Sequence, residues 1–337
     1  LAAKESLGDR YGIAKSFDTL GNIYGAIGDY SRALDHLQRS LKLRQAVGDK
    51  YGTLETWNNI GLVHLYQGDY GLAIDSFNRG LRLNKEIGAT LESEALMNIG
   101  VAAWKLGQRQ RAEANFRQSL RITERDGSRN LTAKILHGLG RMALEAGRQA
   151  EADVLLQRSL DLREELKDQA GTAESLNALA WSRLIRRRFE GTAALAQRAA
   201  EIAQKNEQAE LLWEAHTLLG IAWRRLGQPE ASRRSFLAAI DVIEGLREQV
   251  VAREIGRERF FETRLSPYHE LIALAIERRS NSEALELAER AKARVLSDLL
   301  QRGRIDVFGA MTGEERRDER RLRSSMLSLN QKIQTER

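Results

Sequence analysis

The dipeptide Leu20-Gly21 returns as Ile60-Gly61, Ile99-Gly100, Leu139-Gly140, Leu179-Ala180 and Leu219-Gly220, at spacings of 40, 39, 40, 40 and 40 residues. A period of this size, kept over six copies, confines the chain to a repeat architecture in which neighbouring units bury one another's apolar faces. Seven residues after each glycine stands Gly28, Gly68, Gly107, Gly147, Arg187 or Gly227, and five residues later a small side chain: Ala33, Ala73, Ala112, Ala152, Thr192 or Ser232. A second small position follows at Ser40, Gly80, Ser119, Ser159, Ala199 and Ala239.

Each unit reads as a helical hairpin. Apolar residues three or four apart (Phe17, Leu20, Tyr24; Trp57, Ile60, His64; Leu96, Ile99, Ala103) make one face of a first helix. That helix breaks at the glycine of GDY, GDY, GQR, GRQ or GQP, and Ala33, Leu37, Leu41 and their equivalents form the buried face of a second helix. Gly21 and its equivalents stand in the middle of a helix, where glycine costs roughly 1 kcal/mol against alanine. A neighbouring helix approaching closely at that point accounts for the cost, so these glycines and the small residues mark helix crossings.

An aromatic or Leu, then Leu-Gly, an aromatic, Gly-Asp-Tyr and Ala-x-x-x-Leu together resemble the tetratricopeptide repeat over roughly residues 1 to 245. The resemblance implies an all-α fold, a right-handed α-solenoid of helix hairpins. The period exceeds the family's usual 34 or so residues. It is similar to the longer variant in which SLxLRxxxGDxxG joins one repeat to the next, seen here from Ser40 to Gly52 and more loosely from Ser159 to Gly171. Residues 1 to 12 match the end of that junction, which implies that the chain begins inside a second helix. The domain reading is an array over 1–249 (a partial first repeat plus six repeats), a degenerate hairpin over 250–304, and a loop with a charged helix over 305–337. In the hairpin, Phe260, Phe261, Tyr268, Leu271, Ile272 and Ala275 share a helix that the turn Ser280-Asn281-Ser282 leads out of. Beyond it, Thr312 and Glu315 make a capping box and Leu322, Met326, Leu329 and Ile333 an apolar seam.

Composition removes several chemistries. There is no cysteine in 337 residues, which excludes a disulfide framework, a thiolate metal site and a cysteine nucleophile within the chain. No run reaches the 18 to 20 or so apolar residues that span a bilayer, and no signal-peptide layout opens the chain, so a cytoplasmic location without membrane contact is expected. The net charge of +6 is spread among interspersed signs, as on a solvated surface. The histidines His36, His64, His137, His216 and His269 have no ligand spacing, and the tryptophans Trp57, Trp104, Trp181, Trp213 and Trp223 fall where core residues are expected. We therefore expect no catalytic residues, no metal and no cofactor.

The run AERAKARVLSDLL, followed by a loop and a charged helix, resembles the segment that joins tetratricopeptide arrays to CHAT domains, the caspase-like peptidases of bacterial signalling. This implies a CHAT domain following residue 337, with the array as its sensor.

Tetratricopeptide arrays hold extended peptides in a concave groove lined by first helices. In the Leu-Gly register, the groove positions here are Asn22, Asn58, Tyr66, Lys105, His137, Arg141, Asn177, Trp181, Arg224 and Arg225, with Asp18 and Met97 in the same rows. Asparagine can hold a peptide backbone through donor and acceptor, and arginine or lysine can meet carboxylates. The expected function is a protein-protein interaction scaffold for a protein or peptide with acidic or amide-rich segments. The alternatives are a free-standing adaptor and, as the lesser one, a nucleic-acid-binding helical repeat, to which the interrupted basic run Arg316, Arg317, Arg320, Arg321 and Arg323 would contribute.

Overall fold

Glycine followed by aspartate does two jobs at Gly28-Asp29 and Gly48-Asp49. In a computed structural model of the chain, which describes residues 9–88, 90–253 and 264–301, Gly28, Gly48 and Gly68 have φ of 82°, 73° and 89°. This left-handed conformation lets the next amide reach back, as when Asp49 N donates to Arg44 O at 2.9 Å and closes the helix end. The aspartate then caps the following helix: Asp49 Oδ1 accepts from Gly52 N at 2.9 Å, and Asp9, Asp29 and Asp168 do the same for Gly12, Arg32 and Gly171. Arg187 takes the same conformation at φ 56°, so the fifth hairpin turns without its glycine.

The described residues form helices only. Six hairpins follow one another: α1 Arg10–Ala26 and α2 Tyr30–Ala46, α3 Lys50–Gln67 and α4 Tyr70–Ile87, α5 Glu92–Lys105 and α6 Arg109–Asp126, α7 Arg129–Glu145 and α8 Gln149–Glu165, α9 Gln169–Ile185 and α10 Phe189–Lys205, α11 Ala209–Arg225 and α12 Pro229–Arg253. Each helix packs on the next in sequence. First helices of consecutive repeats also meet one another, α1 with α3 and so on to α9 with α11, more closely than second helices do. The array is thus an α-solenoid with the first helices on its tighter, inner side.

The mid-helix glycines are packing residues. A Cβ on Gly21 would stand 2.6 Å from Leu37 Cγ, on Gly61 2.5 Å from Phe77 Cε1, on Gly100 3.1 Å from Phe116, and on Gly140 2.6 Å from Leu156 Cγ. A large side chain on the second helix therefore seats in a notch on the first. The exception changes both partners: Ala180 replaces the glycine, and the facing position, sixteen residues on as in every other repeat, shrinks to Ala196, so no large side chain meets the added methyl. Phe77, Phe116, Leu156 and Phe236 are all essentially inaccessible, each contributing on the order of 1.5 to 3 kcal/mol by burial. Ala33, Ala73, Ala112, Ala152, Thr192 and Ser232, the small positions of the second helices, are at 0% exposure.

The SLxLRxxxGDxxG junction is a buried electrostatic joint. Arg44, from the last turn of α2, reaches Asp18 on α1, with Nη1 donating to Asp49 Oδ2 at 2.8 Å and Nε to Ser40 Oγ at 3.4 Å. Thr56 on α3 donates to the other Asp18 oxygen at 3.0 Å. A Cβ on Gly52 would overlap the Arg44 guanidinium, so the last glycine of the motif exists to let the arginine pass. Burial works against the charged Arg44, but Asp18 and Asp49 outweigh it and raise its pKa above the ordinary value. Three repeats later Arg163 takes the same place, donating to Gly171 O at 2.6 Å and Ser175 Oγ at 2.9 Å.

The chain divides into Leu1–Ile255 and Gly256–Arg337. In the second unit, α13 Ser266–Glu277 packs on α14 Asn281–Gln301, and Tyr268, Leu271, Leu274, Ala284 and Leu287 are buried. Arg279 turns at φ 57° and Ala284 follows it by five residues, the spacing of the array. Phe260, Phe261, the start of the chain before Asp9, the capping box, the apolar seam and the basic run near residue 320 lie outside the described residues.

Candidate functional site

Side chains three and four apart on one helix share a face, and the inner faces of α7, α9 and α11 bring several polar groups together. α7 supplies His137 and Arg141, α9 supplies Glu174, Asn177 and Trp181, and α11 supplies Glu214. Behind them Arg163, with a side chain only 4% exposed, comes through from α8 and grips Glu174 Oε2 at 2.9 Å. Glu174 Oε1 lies 3.4 Å from His137 Nε2.

Charge and burial set the protonation states. His137 is 6% exposed, and neither ring nitrogen has a hydrogen-bond partner. Burial lowers its pKa to about 4, with Glu174 pulling up and Arg163 and Arg141 pushing further down, so the imidazole is neutral at neutral pH. Glu174 is opposed by burial, but His137, Arg163 and Arg141 together hold its pKa below the usual carboxylate value. Glu214 goes the other way: the surrounding protein withdraws water and, with Glu210 and Glu174 nearby, raises its pKa in spite of Arg141 and the Asn177 amide.

Asn177 is 5% exposed and spans to the next repeat, its Nδ2 donating to Leu211 O at 3.0 Å, while its Oδ1 is buried without a partner. Beside this acceptor Trp181 keeps 48% of its surface in solvent. Arg141 is exposed and stacks over Trp104, 5.4 Å from the ring centroid, and Trp104 Nε1 donates to Glu145 Oε2 at 2.8 Å. The arrangement offers an open indole and a guanidinium on successive first helices above a buried polar cluster, which suits binding of a polypeptide. Among the described residues, no group of three or more His, Cys, Asp or Glu side chains is placed to hold a metal ion, and no helix is long and apolar enough to cross a membrane.

The tetratricopeptide repeat family matches residues 12–86 and 91–165, which cover α1 to α4 and α5 to α8 nearly end to end. Over those segments the chain is similar to the tetratricopeptide repeat family. The fold is shared with RapI in its apo form (14% identity, 84% of this chain and 99% of that one, TM-score 0.62). It is shared too with a Rap protein complexed with Competence and Sporulation Factor (11% identity, 84% and 75%, TM-score 0.59). A third similar structure is a STAND protein with a tetratricopeptide repeat sensor from Pyrococcus horikoshii (14% identity, 72% and 38%, TM-score 0.60). No curated protein matches the chain.

Within the tetratricopeptide register the expected groove residues separate into two rows. The row nearer the start of each first helix is committed to the fold: Asp18 to Arg44 and Thr56, Asn177 to Leu211, and His137 packed among Glu174, Arg163 and Arg141. Asn58 belongs to it as well, half-buried with Oδ1 inaccessible and unpartnered, and Met97 is half-buried. The later positions are open: Asn22, Tyr66 at 65%, Lys105, Arg141, Trp181 and Arg225 are exposed, and Arg224 is half-buried. Asp18 is thus a joint residue, correcting its assignment to the groove, because the buried arginine of the junction needs a carboxylate.

Sequence reasoning missed Glu174 and Glu214. They lie three residues before Asn177 and Thr217, and the same position carries Glu55 and Glu94 in repeats two and three. This periodic row was legible as a signal, and it makes the inner face mixed in charge where the arginines and lysine alone implied a basic strip. Of the tryptophans, Trp57, Trp104 and Trp223 pack against the core as expected, and Trp181 is the exposed one. None is fully buried, and Trp104 and Trp213 turn their indole N–H to Glu145 and Glu210.

Proposed function

We propose that the array is a protein-interaction scaffold that holds an extended polypeptide along its inner face, centred on α7, α9 and α11. The observation that carries this reading is the half-exposed ring of Trp181, one repeat on from the exposed guanidinium of Arg141 at the same register position. Exposed aromatic rings and guanidiniums are the side chains that contribute most at protein interfaces. The complex of a Rap protein with Competence and Sporulation Factor supports the reading, since an array of this fold is there joined to a partner. The periodic glutamates make this face mixed in charge, which disfavours a nucleic-acid backbone.

The test is capture of partners by the chain, followed by affinity measurement with Trp181→Ala combined with Arg141→Ala. Both side chains are exposed, so the fold survives their loss. The double variant should weaken the captured polypeptide about tenfold or more, from a lost aromatic contact and a charge-assisted hydrogen bond. Full retention would move the binding site off this face. On the resemblance of Ala288 to Leu300 on α14, the finer reading is that the array is the sensor of a CHAT peptidase. Peptidase turnover in a protein carrying both parts, with and without the captured polypeptide, checks it.

A further inference from the structure

Among the ion pairs that strap the outer seam between second helices, two occupy equivalent positions in successive repeats. Arg158 on α8 reaches Glu124 on α6 at 2.8 Å, and Arg198 on α10 reaches Glu164 on α8 at 2.6 Å. Each pair is separated by 34 residues. The same separation joins Arg79 on α4 to position 45 on α2, but residue 45 is glutamine. Arg79 turns instead onto the indole of Trp57, 4.8 Å from its centroid.

At this seam a cleft of about 430 Å³ stands open, lined by Gln45, Lys50, Trp57, Arg79, Arg82 and Glu86 among others. Its one acid, Glu86, is already paired with Lys50. Arg79 and Arg82 are exposed and have no carboxylate partner among the described residues. The cleft therefore carries two uncompensated guanidiniums above a floor of Trp57, Thr53 and Leu83.

We infer that this cleft, on the outer face of the first two complete hairpins, is a second docking site that takes an acidic polypeptide segment. The two guanidiniums stand three residues apart on α4, roughly 5 to 6 Å between Cβ atoms. Alternate side chains of an extended strand recur at about 7 Å, which sets two carboxylates against the two arginines. The lining runs from Arg79 to Glu86, about two helical turns or roughly 10 Å, more than a lone inorganic anion fills and the reach of a short peptide. Charge complementarity selects the partner: Lys50 and Glu86 satisfy each other, and only anionic groups satisfy Arg79 and Arg82. Position 45 decides whether the cleft is open, because a glutamate there would re-form the strap seen at Arg158 and Arg198.

The site is tested by titrating the chain with hexaglutamate, hexalysine and pyrophosphate at low salt and following heat and Trp fluorescence. Hexaglutamate should bind, weaken as salt rises, and weaken at least tenfold in Arg82→Glu and in Gln45→Glu, whereas Arg158→Gln at the neighbouring seam leaves it unchanged. Gln45→Glu should keep or raise the unfolding midpoint, which separates closing of the cleft from damage to the fold. Absence of hexaglutamate binding, equal binding by Gln45→Glu, or binding of pyrophosphate alone would each overturn the inference. Trp181→Ala with Arg141→Ala acts on the inner face and leaves this titration untouched, so the two sites fail or stand separately.

Discussion

Arg44→Met isolates the joint between the first two complete hairpins. It removes the guanidinium that holds Asp18, whose side chain is 9% exposed, and leaves that carboxylate held across the joint by Thr56 at 3.0 Å. Asp49 suffers less, since it is 16% exposed and keeps its cap on Gly52. Breaking a buried pair from one side costs about 3 to 5 kcal/mol. With the Thr56 hydrogen bond kept and the methionine filling much of the arginine's volume, we expect about 3 kcal/mol. Adding Asp18→Leu removes the stranded charge, and Thr56 still donates to Gly52 O at 2.9 Å, so the double variant should recover to within about 1 kcal/mol of wild type. Repeat arrays unfold unit by unit, so hydrogen exchange over α1 to α3, read beside denaturant unfolding, is the assay. Protection should fall there in Arg44→Met while α7 to α11 hold. A single variant within 1 kcal/mol of wild type, or a double variant as unstable as the single, refutes the reading of this joint as an ion pair.

Gly61→Ala should destabilise by about 1 to 3 kcal/mol, because its Cβ would lie 2.5 Å from the Phe77 ring, whereas Gly245→Ala, with nothing within 4 Å, should gain up to about 1 kcal/mol; equal effects on the unfolding midpoint would reject the packing notch. Ala112→Leu, at a position with 0% exposure, should cost about 1 to 3 kcal/mol in the same assay, and unchanged stability would reject the helix-crossing register. His137 is held neutral with a pKa of about 4, below its unfolded value near 6.5, so the unfolded chain takes up the proton first and stability falls as pH drops from about 6.5 to 4. His137→Leu should flatten that fall, by an amount on the order of 3 kcal/mol at pH 4; an unchanged pH profile of the unfolding midpoint would contradict a buried neutral imidazole.

The period of about 40 residues by itself determined the hairpins, their register, the turn residues and the mid-helix notches, because helix periodicity, left-handed turns and close approach all leave marks at fixed local spacings. Even the fifth repeat is written locally, with Ala180 set against Ala196. Which polar groups remain free for a ligand was decided by the tertiary structure alone. Asp18 and Asn177 sit in the groove register, yet Arg44 and Leu211 claim them from 26 and 34 residues away. Arg79 and Arg158 occupy the same position in their repeats, and Gln45 against Glu124 makes one a free cation and the other a strap. A side chain's availability is a property of the pair it meets across the repeat interface. Local spacing places each member of that pair, and only packing of one hairpin on the next brings them within hydrogen-bond reach.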